Sequence, residues 1–204
     1  MTIPYPAIPI QRRSGDKPFH AGSRALDFDV ASFWRWGASD LMDNLVRGML
    51  AEFLVAQAMG KTDCPRVGWD ACDIRTDRVT VEVKSSAYLQ SWPQERLSNI
   101  RFSIAPKRGW NAETNEYAPR ACRDANVYVF ALLSHRDKAT VDPLDVEQWA
   151  FHVVPTSSLE TAFGTNKSIG LASLRRVCPA PVTFDGLRDA IFAAGAIARE
   201  DDDG

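Results

Sequence analysis

DIRTDRVTVEVK, residues 73–84, decides how the chain is read. Val79, Thr80, Val81 and Val83 form a β-branched run of the kind that favours a strand. Side chains two apart on a strand share a face, so Glu82 and Lys84 point one way and Val79, Val81 and Val83 the other. A short apolar run, Ala71 to Ile74, lies just upstream, separated by the polar, turn-prone Arg75-Thr76-Asp77-Arg78. The two runs predict a hairpin. Its register decides which acid joins Glu82. A loop of two or four residues puts Asp73 on the Glu82 face, whereas a loop of three puts Asp70 and Cys72 there. Two-residue loops are the commonest, which favours Asp73 and leaves Asp70 as the alternative. Two carboxylates beside an ammonium suit a hard divalent cation held through oxygen. The bland alternative is a solvated strand face with a cross-strand charge pair.

Upstream, residues 41–59 (LMDNLVRGMLAEFLVAQAM) have helical periodicity. Positions 45, 48, 49, 52, 55, 56 and 59 fall on one stripe, in which Glu52 is the only charge. A buried carboxylate is expensive without a partner. Glu52 therefore calls for a cation or a metal-bound water, and Gly48, one turn earlier, leaves room for it. Alternatively Glu52 lies at the stripe's edge and pairs with Arg47 or a lysine. Ser39 or Asp40 is placed to cap the helix and Gly60 to end it.

The ordered set of helix Glu52, then Asp73, then Glu82-Val83-Lys84 resembles the PD-(D/E)XK nuclease superfamily, over roughly residues 38–135. The stretch 68–92 is similar to an uncharacterised bacterial branch of it. Cys72, rather than proline, precedes Asp73. The resemblance implies an α/β, restriction-endonuclease-like fold: an αβββαβ core ending near Leu133, with a mixed sheet of about five strands flanked by helices. It implies Mg²⁺ (or Mn²⁺) held by Asp73 and Glu82, with Glu52 on a metal water or a second metal. Lys84 would position the attacking water, completing a catalytic set of Glu52, Asp73, Glu82 and Lys84. Ser85, Tyr88 and Gln90 correspond to the accessory polar residues that some branches carry after this motif. The implied substrate is DNA, with RNA less favoured, in restriction, defence or repair; the alternative is a non-cleaving DNA-binding or structural subunit. Paired cuts on duplex DNA would favour a homodimer.

The rest of the chain sets bounds. It has 204 residues, 45% hydrophobic and 25% charged, which fits a globular domain rather than a disordered one. A net charge of −2 announces no nucleic acid by itself, so a DNA-binding face has to be local. The best candidate is 96–123, where Arg96, Arg101, Lys107, Arg108, Arg120 and Arg123 face only Glu113 and Glu116. Cys64, Cys72, Cys122 and Cys178 lack zinc spacing and read as reduced thiols of a cytoplasmic protein. No signal peptide or membrane span is expected.

Three regions follow from these readings. Residues 1–37 form an N-terminal arm and an aromatic segment, with Pro4, Pro6, Pro9 and Pro18, then Phe33, Trp34 and Trp36, for which core packing or a dimer contact is expected. Residues 38–135 form the core. Its third strand is expected at 99–105, short helices near 94–98 and 120–123, and a doubly covered strand at Asn126–Leu133. Residues 136–204 form an extension: a strand at 149–154, helices from Thr156 and from Asp185, and an acidic tail, Glu200–Asp203.

Overall fold

The computed structural model describes residues 5, 8–68, 70–111 and 116–202. Pro4 and Pro6 of the arm, Trp69, Glu113 and the tail residue Asp203 lie outside them. In chain order the elements begin with β1 (Pro18–Ala21), β2 (Arg24–Asp29), α1 (Val30–Gly37) and α2 (Asn44–Ala58). Next come β3 (Ile74–Arg75), β4 (Thr80–Ala87), β5 (Arg101–Ser103), β6 (Trp110–Asn111), β7 (Glu116–Tyr117) and β8 (Val127–Leu133). After a 3₁₀ turn at Val146–Gln148 the chain forms β9 (Trp149–Pro155), α3 (Thr156–Phe163), β10 (Ser168–Gly170), α4 (Leu171–Val177) and α5 (Phe184–Asp202).

The central sheet is mixed and four-stranded, in the order β3-β4-β8-β9. β4 and β8 run parallel, with Glu82 beside Tyr128 and Lys84 beside Phe130, and the two outer pairings are antiparallel. Strand alternation sorts the core into two layers. Val81, Val83, Val127, Val129, Ala131 and Leu133 meet α2 and α5 on one face. Tyr128, Phe130 and Leu132 meet Ile100, Phe102 and Ile104, together with α3 and α4, on the other. All seven residues of β8 are buried, as an uninterrupted apolar run requires of a strand covered on both sides. Gly195 lets α5 press against the hairpin: a Cβ there would sit 2.8 Å from Val79 Cγ2.

Several expectations are corrected. The sheet has four strands rather than five. The third expected strand, reduced to β5, pairs antiparallel with β10 outside the central sheet. No helix joins β4 to β8 among the described residues, so the αβββαβ order is not reproduced and the observed class is mixed α/β. Pro93, Pro106 and Pro119 punctuate that connection, and proline deprives a helix of backbone donors. The N-terminal segment is irregular and exposed over residues 8–14 but gains regular structure after it. Residues 18–37 form a β-hairpin and a helix, and Phe33, Trp34 and Trp36 are exposed rather than packed in the core.

α2 turns a different side inward from the one its periodicity suggested. Arg47, Ala51, Leu54 and Val55 are its buried residues, while Leu45, Met49 and Phe53 face solvent. The helix is apolar on two sides, and contact with β4 chooses between them. Asp43, not Ser39 or Asp40, caps its start, accepting the backbone N–H groups of Leu45 and Val46. Gly60 follows its end at φ 66°, a conformation natural to glycine.

Candidate functional site

The hairpin places the first carboxylate pair. Thr76 N–H donates to Val79 O at 2.9 Å, closing a two-residue loop of Asp77 and Arg78. Thr76 Oγ1 accepts the N–H groups of Arg78 and Val79 and locks the turn. Ile74 then pairs with Val81, and the next residue outward on each strand is Asp73 and Glu82. At Asp73 the ladder gives way: its N–H donates to Val81 O, and its Oδ2 accepts Val83 N–H at 2.7 Å. Asp73 thus continues the edge of β4 with its side chain. Asp70, the alternative, is exposed and pairs with Arg75 at 3.5 Å, apart from this cluster.

Glu82 is buried and holds two ammonium groups. Lys84 Nζ donates to its Oε1 at 2.5 Å, and Lys107 Nζ donates to Oε1 and Oε2 at 2.9 and 3.1 Å. Lys107 therefore belongs to the acidic cluster and not to an outer phosphate-contacting surface. Burial alone would lower its pKa, but the hydrogen bond and charge of Glu82 outweigh that and raise it. At Asp73 the Val83 N–H bond and the charge of Lys84 are outweighed. Burial, then the charges of Glu82 and Glu52, push its carboxyl up to about 6. Tyr128, beside Glu82 in register, has its phenol held up by burial and by the same charge.

Glu52 reaches this cluster from α2, close enough for its charge to act on Asp73. Its partner is Arg66, in the loop before the hairpin: Nη2 donates to Oε1 at 2.9 Å, and Nε donates to Oε2. Arg66 was legible as an arginine in a loop, but nothing local pointed to its pairing.

The remaining candidates separate. Ser85 is an odd residue of β4 and so lies on the α2 side, away from Glu82. It accepts Arg47 Nε at 3.3 Å. Gln90 is buried; its Oε1 accepts Arg47 Nη1 at 3.4 Å, and its Nε2 donates to Ala87 O and Ser98 Oγ. Arg47 also donates to Met42 O and Asn44 Oδ1, so it pins the end of β4 to the start of α2. Ser85 and Gln90 serve that clamp rather than the acidic cluster. Arg123 is buried and structural, donating to Ile104 O at 2.9 Å and Gly164 O at 2.6 Å. Arg96, Arg101, Arg108 and Arg120 are exposed; Arg101 donates to Ser168, and Arg108 donates to Ala118 O and lies over Tyr117. Cys72 is a buried thiol pushed up to about 11 by burial, which makes it a poor nucleophile.

Whether these residues suit a divalent cation is a question of donors. Among the described residues no group of three His, Cys, Asp or Glu side chains is arranged to hold a metal ion. Asp73 and Glu82 are a pair rather than a cage. A pair suits Mg²⁺, which keeps several waters and takes one or two carboxylates together with substrate phosphates. Burial, with the charges of Glu82 and Glu52, raises the Asp73 pKa, and no described donor reaches its Oδ1. As donors for such a cation the pair offers Asp73 Oδ1, while both Glu82 oxygens accept from Lys84 and Lys107.

No family model, no curated protein and no solved structure matches the chain. No helix among the described residues is long and apolar enough to cross a membrane.

Proposed function

We propose that the protein is a metal-dependent nuclease of restriction-endonuclease-like design, hydrolysing phosphodiester bonds, with DNA as the favoured substrate. The observation that carries this reading is the convergence of Asp73 and Glu82 beside Lys84 and Lys107, with Glu52 adding charge from α2. Asp73 and Glu82 would hold Mg²⁺ or Mn²⁺, which supplies Lewis acidity to a phosphoryl group when bound. Glu52 would act from the second layer of the cluster, with Arg66 fixing its orientation.

The chain's own groups account for the remaining work. The Lys84 side chain is partly exposed, and its ammonium would hold a water against the scissile phosphate and offset charge building on the phosphoryl oxygens. Lys107 holds the Glu82 carboxylate in place through both of its oxygens. The water oxygen bonds to phosphorus in line and releases a proton to solvent, the opposite P–O bond breaks, and the departing oxygen takes a proton from solvent. The exposed Arg96, Arg101, Arg108 and Arg120 would contact phosphates along the strand.

A second reading rests on Glu82, both of whose oxygens accept from lysines. A cluster so neutralised also suits a binding module that does not cut. A panel of duplex DNA, single-stranded DNA and RNA, incubated with Mg²⁺ or Mn²⁺, separates the two. Cleavage lost in Glu82→Ala and Lys84→Ala, with binding retained, supports the nuclease. Binding without cleavage in the wild type selects the second reading.

A further inference from the structure

Two apolar surfaces of this chain lie uncovered. One is on the N-terminal module, where Phe19 and Phe28 pair across the hairpin with ring centroids 4.9 Å apart and stay exposed. α1 adds Phe33, Trp34 and Trp36, the last 85% exposed, and none of its residues is buried. The other is the outer stripe of α2, Leu45, Met49 and Phe53, spaced four apart and 73%, 41% and 53% exposed. Neither core cluster takes a residue from the module.

The connection between the two surfaces is a set turn. Ser39 Oγ donates to Arg35 O, Asp40 Oδ1 accepts the N–H groups of Met42 and Asp43, and Leu41 N–H donates to Ser39 O. These bonds order the turn between α1 and α2. The charges of the two regions are opposite. Residues 8–37 carry five Arg and Lys against three Asp, a net of +2; residues 38–66, which include Arg66 paired with Glu52, carry four Asp and Glu against three Arg and Lys, a net of −1. At about 200 Å² for a fully exposed large side chain, these eight residues present roughly 900 Å² per chain. A reciprocal contact using both surfaces on both copies would bury roughly 1,700 Å², the size of a stable specific interface.

We infer that two copies of the chain exchange N-terminal modules, the β1–β2–α1 unit of each seating on the Leu45, Met49 and Phe53 stripe of the other. The arrangement is closed and two-fold, so both surfaces are satisfied in a dimer and assembly stops there. It stands independently of the nuclease reading. It also brings a partner's basic segment, with Arg12 and Arg13, to the helix that carries Glu52.

The test is sedimentation equilibrium of the full chain across the micromolar range, on wild type, Trp36→Lys and Leu45→Lys/Met49→Lys. All three substituted positions are exposed, and circular dichroism checks that the fold is kept. The expected result is a wild-type dimer whose Kd rises at least about tenfold in each variant, as loss of a buried apolar anchor produces. A wild type that stays monomeric overturns the inference whatever the variants do. A dimer that survives either variant overturns it as well. In particular, loss with Trp36→Lys but not with Leu45→Lys/Met49→Lys would mean that the module binds another surface or that two modules pair with each other.

Discussion

Replacing Asp73 by asparagine should make the protein more stable at neutral pH, and the size of the effect follows from the site. The Asp73 carboxyl is pushed up to about 6 from 3.8 by burial and by the charges of Glu82 and Glu52. In this range the folded protein binds more protons at Asp73 than the unfolded chain does. Stability therefore falls as pH rises from about 4 to about 6 and stays reduced above that. At about 1.4 kcal/mol per unit of pKa, the cost of ionised Asp73 at pH 8 is about 3 kcal/mol. Asparagine keeps an oxygen to accept Val83 N–H, and its amide finds acceptors in the neighbouring carboxylates. Urea unfolding in pH steps measures the difference. Asp73→Asn should exceed wild type by up to about 3 kcal/mol at pH 8, with the gap closing near pH 4. Mg²⁺ at ten times its Kd should restore about 1.4 kcal/mol to wild type and nothing to the variant. A variant equally destabilised at pH 4 and pH 8 would refute the charge argument. A variant that gains from Mg²⁺ as wild type does would remove Asp73 from the metal site.

Four further outcomes are expected. Lys107→Met should cost about 1–2 kcal/mol in urea unfolding, less than a fully buried pair, because its side chain is nearly half exposed and Glu82 keeps Lys84. Arg123→Ala strands the carbonyls of Ile104 and Gly164 and should cost about 3 kcal/mol, yet leave DNA affinity unmoved in the folded fraction. Arg96→Ala and Arg120→Ala should do the reverse, weakening DNA binding and flattening its salt dependence with stability changed by less than about 0.5 kcal/mol. Gly195→Ala drives a methyl to 2.8 Å from Val79 Cγ2 and should cost about 1–3 kcal/mol; adding Val79→Ala should recover part of it, and thermal melts of the double cycle would measure the coupling.

Local backbone geometry explains which features were legible before folding. A strand repeats every two residues, so Glu82 and Lys84 had to share a face opposite Val81 and Val83, and a two-residue turn then had to bring Asp73 opposite Glu82. The apolar run at 127–133 could only be a strand covered on both sides. α2 was legible as a helix but not in its orientation: with Leu45, Met49 and Phe53 on one side and Ala51, Leu54 and Val55 on another, periodicity alone could not rank the two.

Charge partners were the least legible, because they are set by how loops travel rather than by spacing. Arg66 reaches Glu52 and Lys107 reaches Glu82 across 14 and 25 residues. Arg123 and Arg47 are buried where they donate to backbone carbonyls outside helices and strands, those of Ile104 and Met42. The sequence by itself determined the hairpin, its acid–acid–lysine face and the central strand, since these depend on repeats a few residues long. Only the tertiary structure decided which side of α2 is buried, which cations neutralise which acids, and that the N-terminal aromatics stay outside, since each depends on surfaces brought together from distant parts of the chain.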